Sequence, residues 1–249
     1  MLGATWARLP PAVCLMHLRI PEKNTVATQS MFEQAGFQFP QSLAERYQPK
    51  AISQFVGLEK AKRIMAKFVE SPYPSAWLFV GPSGTGKTSM ALAICSAVAG
   101  ELHHIPSQSC DLATVKSVTD RCHYYPRIQE TGQPGRFHFV LADEADRMTS
   151  AAQLAFLSKL DGTAYPPNTI FCFTCNSVES LEGRFLSRCR RVDFSSYRMS
   201  EGIVGLLQRV WDTETDGSTA PPNLARIAKD SLNNVRDALM TLETEILAA

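Results

Sequence analysis

The spacing of apolar residues changes character along the chain. From Trp77 to Phe194, short unbroken apolar runs alternate with stretches of helical spacing, whereas beyond Ser196 only the helical spacing remains. Trp77-Leu78-Phe79-Val80 places four apolar residues in succession, the pattern of a strand buried on both faces; a half-exposed strand would alternate. Leu102–Ile105, Phe137–Ala142, Thr169–Thr174 and Arg191–Phe194 read as further strands. Met90–Val98, Leu112–Arg121 and Ala151–Leu160 carry the helical period between them. Ahead of them, Ile64, Phe68 and Val69 recur at helical spacing until Pro72 and Pro74 stop the pattern. Continuous apolar strands alternating with helices predict an α/β fold, a parallel sheet covered on both faces.

Past Ser196, Ile203, Leu206, Leu207 and Val210 form one apolar stripe, Leu224, Ile227 and Ala228 a second, and Val235, Leu239, Leu242 and Ile246 a third. They predict a small all-helical domain of about 50 residues. The expected organisation is a tail over 1–40, an α/β core over 41–196 and a helical domain over 197–249. The tail holds Val13-Cys14-Leu15-Met16 behind Pro10-Pro11, an apolar stretch too short to span a bilayer. No membrane partner is expected, and the location is read as cytoplasmic.

With 45% hydrophobic residues over 249 positions, the chain can bury a sizeable core. The net charge of +1 excludes a globally basic surface, although a local basic patch fits within a neutral total. Seven cysteines without a framework spacing read as reduced thiols. Cys172 and Cys175 have CxxC spacing but sit in an apolar run with no second pair to complete a zinc site, so they read as core thiols. His103 and His104, adjacent on a strand, point to opposite faces and cannot easily share one ion; with His123 they are taken as ordinary side chains.

Gly81-Pro82-Ser83-Gly84-Thr85-Gly86-Lys87-Thr88 fits GxxxxGK[ST] between a strand and a helix. Glycines there let backbone N–H groups converge on phosphate oxygens, and the helix N-terminus adds its positive dipole end. Lys87 is expected to reach the β- and γ-phosphates of ATP, and the Thr88 hydroxyl to ligate Mg²⁺. Asp143 and Glu144 end the apolar run from Phe137, at the edge where ligands of parallel sheets collect. Alone, such a pair reads equally well as an acidic helix start. Beside the phosphate loop, Asp143 is expected to hold Mg²⁺ through water and Glu144 to polarise the attacking water. Asp143-Glu144-Ala145-Asp146 also spells the signature of DEAD-box helicases, but these need two tandem motor domains, and Met148-Thr149-Ser150 stands in place of their Ser-Ala-Thr element.

The succession of phosphate loop, Asp143-Glu144, Thr174-Cys175-Asn176, Leu186-Ser187-Arg188-Cys189 and Asn234-Val235-Arg236-Asp237-Ala238-Leu239 resembles the AAA+ ATPases. Within them it is most similar to the clamp-loader branch, which includes replication factor C small subunits. The resemblance runs over about residues 43 to 249. It implies a P-loop NTPase core, a three-layer αβα parallel sheet, followed by a helical lid. It further implies hydrolysis of ATP with Mg²⁺, assembly with other AAA+ subunits in a ring, and action on a sliding clamp and primed DNA. By position, Asn176 matches sensor 1, which helps orient the lytic water. Arg188 matches the arginine finger that serves a neighbouring subunit, and Arg236 matches sensor 2 on the lid. Glu45–Lys50, with Val56 and Gly57, resembles the segment lining the adenine pocket.

The helix over Asp111–Arg121, with Lys116 and Arg121, occupies the place of a family helix that tracks DNA, though two cations on a helix are usually just solvated. The family's collar domain has no counterpart before Ala249, and the bacterial zinc insertion is missing too. A second reading is therefore a phage- or plasmid-type loader or scaffold that uses ATP binding to arrange partner proteins. A chaperone-type unfoldase is disfavoured, since no substrate-gripping aromatic loop is evident.

Overall fold

A computed structural model describes residues 41–127, 135–195, 199–215 and 220–248. The expected tail and the expected boundary at 196/197 lie outside the described residues. The architecture is that of one unit, Ser42–Ala249. A single turn, α1 (Leu43–Arg46), leads to α2 (Glu59–Glu70) and then β1 (Ser75–Val80). There follow α3 (Lys87–Ala97), β2 (Gly100–Ile105), α4 (Leu112–Arg121), β3 (Phe137–Ala142), α5 (Ser150–Leu160), β4 (Thr169–Cys175), α6 (Gly183–Leu186) and β5 (Arg190–Asp193). Three helices end the unit: α7 (Ser200–Glu214), α8 (Leu224–Asp230) and α9 (Val235–Ala248).

All five strands are parallel, in the order β2-β3-β4-β1-β5. Every residue of β1, β3 and β4 is buried, as continuous apolar runs require when helices cover both faces. Alternate residues serve opposite layers. Ala76, Leu78 and Val80 pack with Val115, Phe156 and Phe185, while Trp77 and Phe79 pack with Met65, Met90 and Ile94. Phe79 is fully buried, a transfer on the order of 1.5–3 kcal/mol. At the sheet edge, β2 leaves Leu102 exposed and buries His103 and Ile105, so it alternates where a central strand would not.

Local chemistry starts the helices. Asp111 accepts the Thr114 N–H at 2.8 Å ahead of α4, Thr149 the Ala152 N–H at 3.2 Å ahead of α5, and Asn223 the Arg226 N–H at 3.0 Å ahead of α8; each satisfies one of the orphan donors of a first turn. The predicted helix from Met90 begins earlier, at Lys87, because Gly86 takes a left-handed φ of 88° as its N-cap. The apolar stripes of α7, α8 and α9 form a core of their own around Ile203, Leu207, Trp211, Ile227 and Leu242. Leu43 of α1 is buried in it, and its N–H donates to Glu243 at 3.2 Å. Tyr47 and Arg46 both donate to Glu214, at 2.7 and 2.6 Å, joining the entry segment to the helical part. Among the described residues no helix is long and apolar enough to cross a membrane.

Candidate nucleotide site

Three loops leave the C-terminal ends of β1, β3 and β4, which neighbour one another in the order β3-β4-β1. They deliver Gly81–Thr88, Asp143–Glu144 and Asn176 to one cleft of about 560 Å³, within the range of small-molecule sites. The cleft is lined by Ser83, Gly84, Thr85, Gly86, Lys87, Thr88, Asp143, Glu144 and Asn176 from the α/β layer. Glu45, Tyr47, Gln48, Pro49 and Val56 of the entry segment and Arg236 and Leu239 of α9 close it.

The phosphate loop owes its path to its glycines. Gly84 and Gly86 adopt φ of 73° and 88°, and a Cβ on Gly81 would stand 2.1 Å from the Phe194 carbonyl oxygen. Among the described residues, no carbonyl or side chain takes up the backbone N–H groups of Ser83, Gly84, Thr85 and Gly86, which leaves them as donors for an anion. Lys87 is buried and donates to the carbonyls of Gly81 and Pro82 at 2.7 and 2.8 Å and to Asn176 Oδ1 at 3.0 Å. Burial pushes its ammonium below the ordinary value, while Cys175, Asp143, Asp146 and Glu144 pull it back up. A partly desolvated cation of this kind attracts a phosphate more strongly than one in open water.

Beside it, Thr88 donates to Asp143 Oδ1 at 2.8 Å, and the Thr174 hydroxyl donates to the same carboxylate oxygen. Two hard oxygens, a hydroxyl and a carboxylate, thus meet at the mouth of the loop, the donor type that Mg²⁺ selects. The Glu144 N–H donates to Thr174 Oγ1 at 3.1 Å, so one buried threonine holds both acidic residues. Glu144 itself has a left-handed φ of 51°, and its carboxylate accepts from Ser107 at 3.1 Å with Arg147 Nε 3.5 Å away.

Of the residues expected from the sequence, Val56, the run from Ser83 to Thr88, Asp143, Glu144, Asn176 and Arg236 share the cleft. Gly81 and Pro82 act from outside it through the carbonyls that Lys87 engages. Gly57 does not line it; with a φ of 61° it makes the turn beneath Met199. Arg188 stands elsewhere, its Nε on Asp161 at 2.7 Å and its Nη1 on the Arg184 carbonyl at 3.0 Å. No individual role was expected of Thr174, Ser107 or Asn234, whereas Gln48 belongs to the segment expected to line the adenine pocket and does line the cleft. A hydroxyl closing an otherwise apolar run was the available signal for Thr174. Gln48 donates to Ser89 at 3.0 Å across 41 positions, which no local pattern announces.

Comparison with known proteins agrees with this geometry. Residues 77–197 match the model of the ATPase family associated with various cellular activities (AAA). The chain is 33% identical over 154 residues to replication factor C small subunit 1 of Pyrobaculum islandicum, which covers 61% of this chain and 46% of that protein. It is 29% identical over 202 residues to replication factor C subunit 3 of Blastobotrys adeninivorans, covering 80% of this chain and 58% of that one. The chain thus spans about half the length of these relatives. Among solved structures, the Thermotoga maritima RuvB Holliday junction branch migration motor superposes with a TM-score of 0.61 at 18% identity, over 79% of this chain and 64% of that one. That likeness concerns the fold. Residues 77–197 form a domain of the AAA family, set in a chain similar to the clamp-loader branch of AAA+ ATPases.

Proposed function

We propose that this chain is a Mg²⁺-dependent ATPase subunit that, with other AAA+ subunits, uses ATP to load a sliding clamp onto primed DNA. The observation that carries the ATPase reading is the bonded set at the three strand ends: Lys87 on Asn176, and Thr88 and Thr174 on Asp143. The replication role rests on the similarity to replication factor C subunits.

In this reading the loop N–H groups and Lys87 take the β- and γ-phosphates, exchanging the carbonyls of Gly81 and Pro82 for phosphate oxygens of greater charge. Thr88 and Asp143 hold Mg²⁺, which neutralises the charge that develops on the phosphoryl oxygens. Glu144 accepts the proton of the attacking water, and the Asn176 amide keeps that water in line with the γ-phosphate. Val56 and the entry segment take the base, and Arg236 links the γ-phosphate to the helical lid, residues 197–249. Arg188 lies outside its own cleft, paired with Asp161, a placement that suits service to the site of a neighbouring subunit.

The test is an ATPase assay on the wild type and Glu144→Gln, with and without primed DNA and a sliding clamp. Turnover that is lost in the variant and stimulated by DNA and clamp together is the expected result. Turnover unaffected by either would remove the replication role and leave the ATPase. Nucleotide binding with no Glu144-dependent turnover would instead favour a scaffold that only binds ATP.

A further inference from the structure

At the opposite end of the β2-β3 pair lies a second cluster of chemically capable side chains. Glu101 and His138 are register partners on β2 and β3, so their side chains share one face of the sheet, and His103, two residues along β2, shares it too. Cys122 caps the C-terminus of α4 over that face. His103, Cys122 and His138 are all buried, and one donor atom from each lies within 4.8 Å of the other two. His103 Nε2 stands 3.0 Å from His138 Nδ1, and Glu101 Oε2 lies 3.4 Å from that same Nδ1.

The tautomer of His138 follows from its other nitrogen. Nε2 lies 2.7 Å from the Tyr124 carbonyl oxygen, which can only accept, so Nε2 carries the proton and Nδ1 turns its lone pair toward His103. A histidine held through its far N–H by a backbone carbonyl is the usual outer arrangement of a metal ligand. The separations also fit an ion. Two nitrogens each bonded to zinc at about 2.0–2.1 Å in a tetrahedron stand roughly 3.3 Å apart. A simple bond between the two imidazoles accounts for their approach, but not for a buried thiol within the same 4.8 Å; Glu101 Oε2, beside His138 Nδ1, accepts the Arg127 N–H at 2.8 Å and is the carboxylate in reach.

We propose that His103, Cys122 and His138 bind one zinc ion, with Glu101 as the fourth donor. A thiolate, a carboxylate and two neutral imidazoles cancel the ion's charge, which suits a buried site, and four protein donors make it structural rather than catalytic. The thiol proton leaves to solvent as the ion binds. His138 lies on β3 five residues before Asp143, which follows the end of that strand, about 16 Å at the usual rise, so the ion acts by pinning the edge strand β2 to α4 and not on ATP.

The test uses the full chain stripped of metal and titrated with Co²⁺, then with Zn²⁺ in competition. One equivalent of Co²⁺ with a thiolate-to-cobalt charge-transfer band, displaced by Zn²⁺, is expected. Cys122→Ser should abolish the band. His103→Gln should weaken Zn²⁺ binding beyond the roughly 10–100-fold typical of outer-shell changes. Substoichiometric cobalt, a spectrum without the thiolate band, or a band that survives Cys122→Ser would overturn the site. Should either variant fail to fold, zinc-edge absorption on the wild type decides: one sulphur with two imidazoles supports the site, and an all-oxygen or sulphur-free shell refutes it.

Discussion

Thr174→Val removes one oxygen and keeps the shape of the side chain, and that oxygen holds both acidic residues of the site. Thr174 is 1% exposed, so water cannot replace what is lost. The hydroxyl donates to the Asp143 carboxylate and accepts the Glu144 N–H at 3.1 Å. A hydrogen bond to a charged group contributes about 1.5–3 kcal/mol, and a buried N–H left without an acceptor costs about 1–3 kcal/mol. Both effects pass through a single atom and are not independent, so the expected loss of stability is about 3 kcal/mol. The same bond holds Glu144 at its left-handed φ, a conformation that costs a non-glycine residue about 1–2 kcal/mol. Once released, the carboxylate spends less time where the attacking water must be, and kcat should fall on the order of 10–100-fold, or about 1.4–2.7 kcal/mol in the barrier. Nucleotide affinity should hold, since Lys87 and the loop are untouched. Urea denaturation gives the first quantity, and single-turnover hydrolysis with a fluorescent nucleotide titration gives the others. Thr174→Ser keeps the hydroxyl and should recover most of the rate. Wild-type turnover in the valine variant, or a serine variant as impaired as the valine one, would refute the reasoning.

The remaining expectations concern the shared site and the entry segment. Lys87→Ala should abolish nucleotide binding in a direct titration, whereas Arg188→Ala should bind nucleotide normally and lose hydrolysis. Mixing the two proteins should restore activity only at interfaces that pair an intact cleft with an intact Arg188; assembled mixtures without activity would rule out action between subunits. Burial pushes the Glu214 carboxyl up, but the hydrogen bonds from Tyr47 and Arg46 outweigh it and hold the group below its ordinary value of 4.5. A depressed pKa in the folded state means that the stabilisation is complete above about pH 4.5 and is lost as the pH falls through the folded value. The stability gap between wild type and Glu214→Gln should therefore be constant from pH 7 to 5 and shrink below that, as read by denaturation midpoints. A gap that widens on acidification would contradict the assignment.

The chemistry that depends on local order was legible in the sequence. Gly81–Thr88 reads as a phosphate loop because its spacing and its place after an apolar run dictate the turn, and the long unbroken runs of β1, β3 and β4 announce a covered parallel sheet. What failed to show was whatever depends on which strands become neighbours. His103 and His104 were rightly separated, since adjacent strand residues diverge, yet His103 has a partner of the same type 35 positions on that becomes its neighbour only once β2 pairs with β3. Thr174 was hidden likewise: its importance comes from β4 lying beside β3, which sets its hydroxyl against Asp143. Arg188 and Arg236 carry no local physical signature of a phosphate contact and were placed by the resemblance of Leu186-Ser187-Arg188-Cys189 and Asn234–Leu239 to a family's motifs. The structure puts Arg236 in the cleft and Arg188 outside it.

One amide joins the C-terminal helices to the phosphate loop. Asn234 precedes α9, and its Oδ1 accepts the N–H groups of Arg236 and Asp237 at 3.1 and 3.3 Å, so it caps the helix that carries Arg236. The same Oδ1 lies against Gly84, where a Cβ would come within 1.7 Å of it. A displacement of the loop should therefore disturb the helix cap. Asn234→Ala should cost about 1 kcal/mol, the usual value of a lost cap. Gly84→Ala should cost more, since it adds a collision with Asn234 to a φ of 73° that disfavours any side chain. Combined, the two should cost less than their sum, because the alanine at 234 clears the space and leaves only the backbone strain. A coupling of about 0.5–3 kcal/mol is the range for residues in contact. A double-mutant cycle by urea denaturation measures it, and strict additivity would mean that loop and lid do not communicate through this contact.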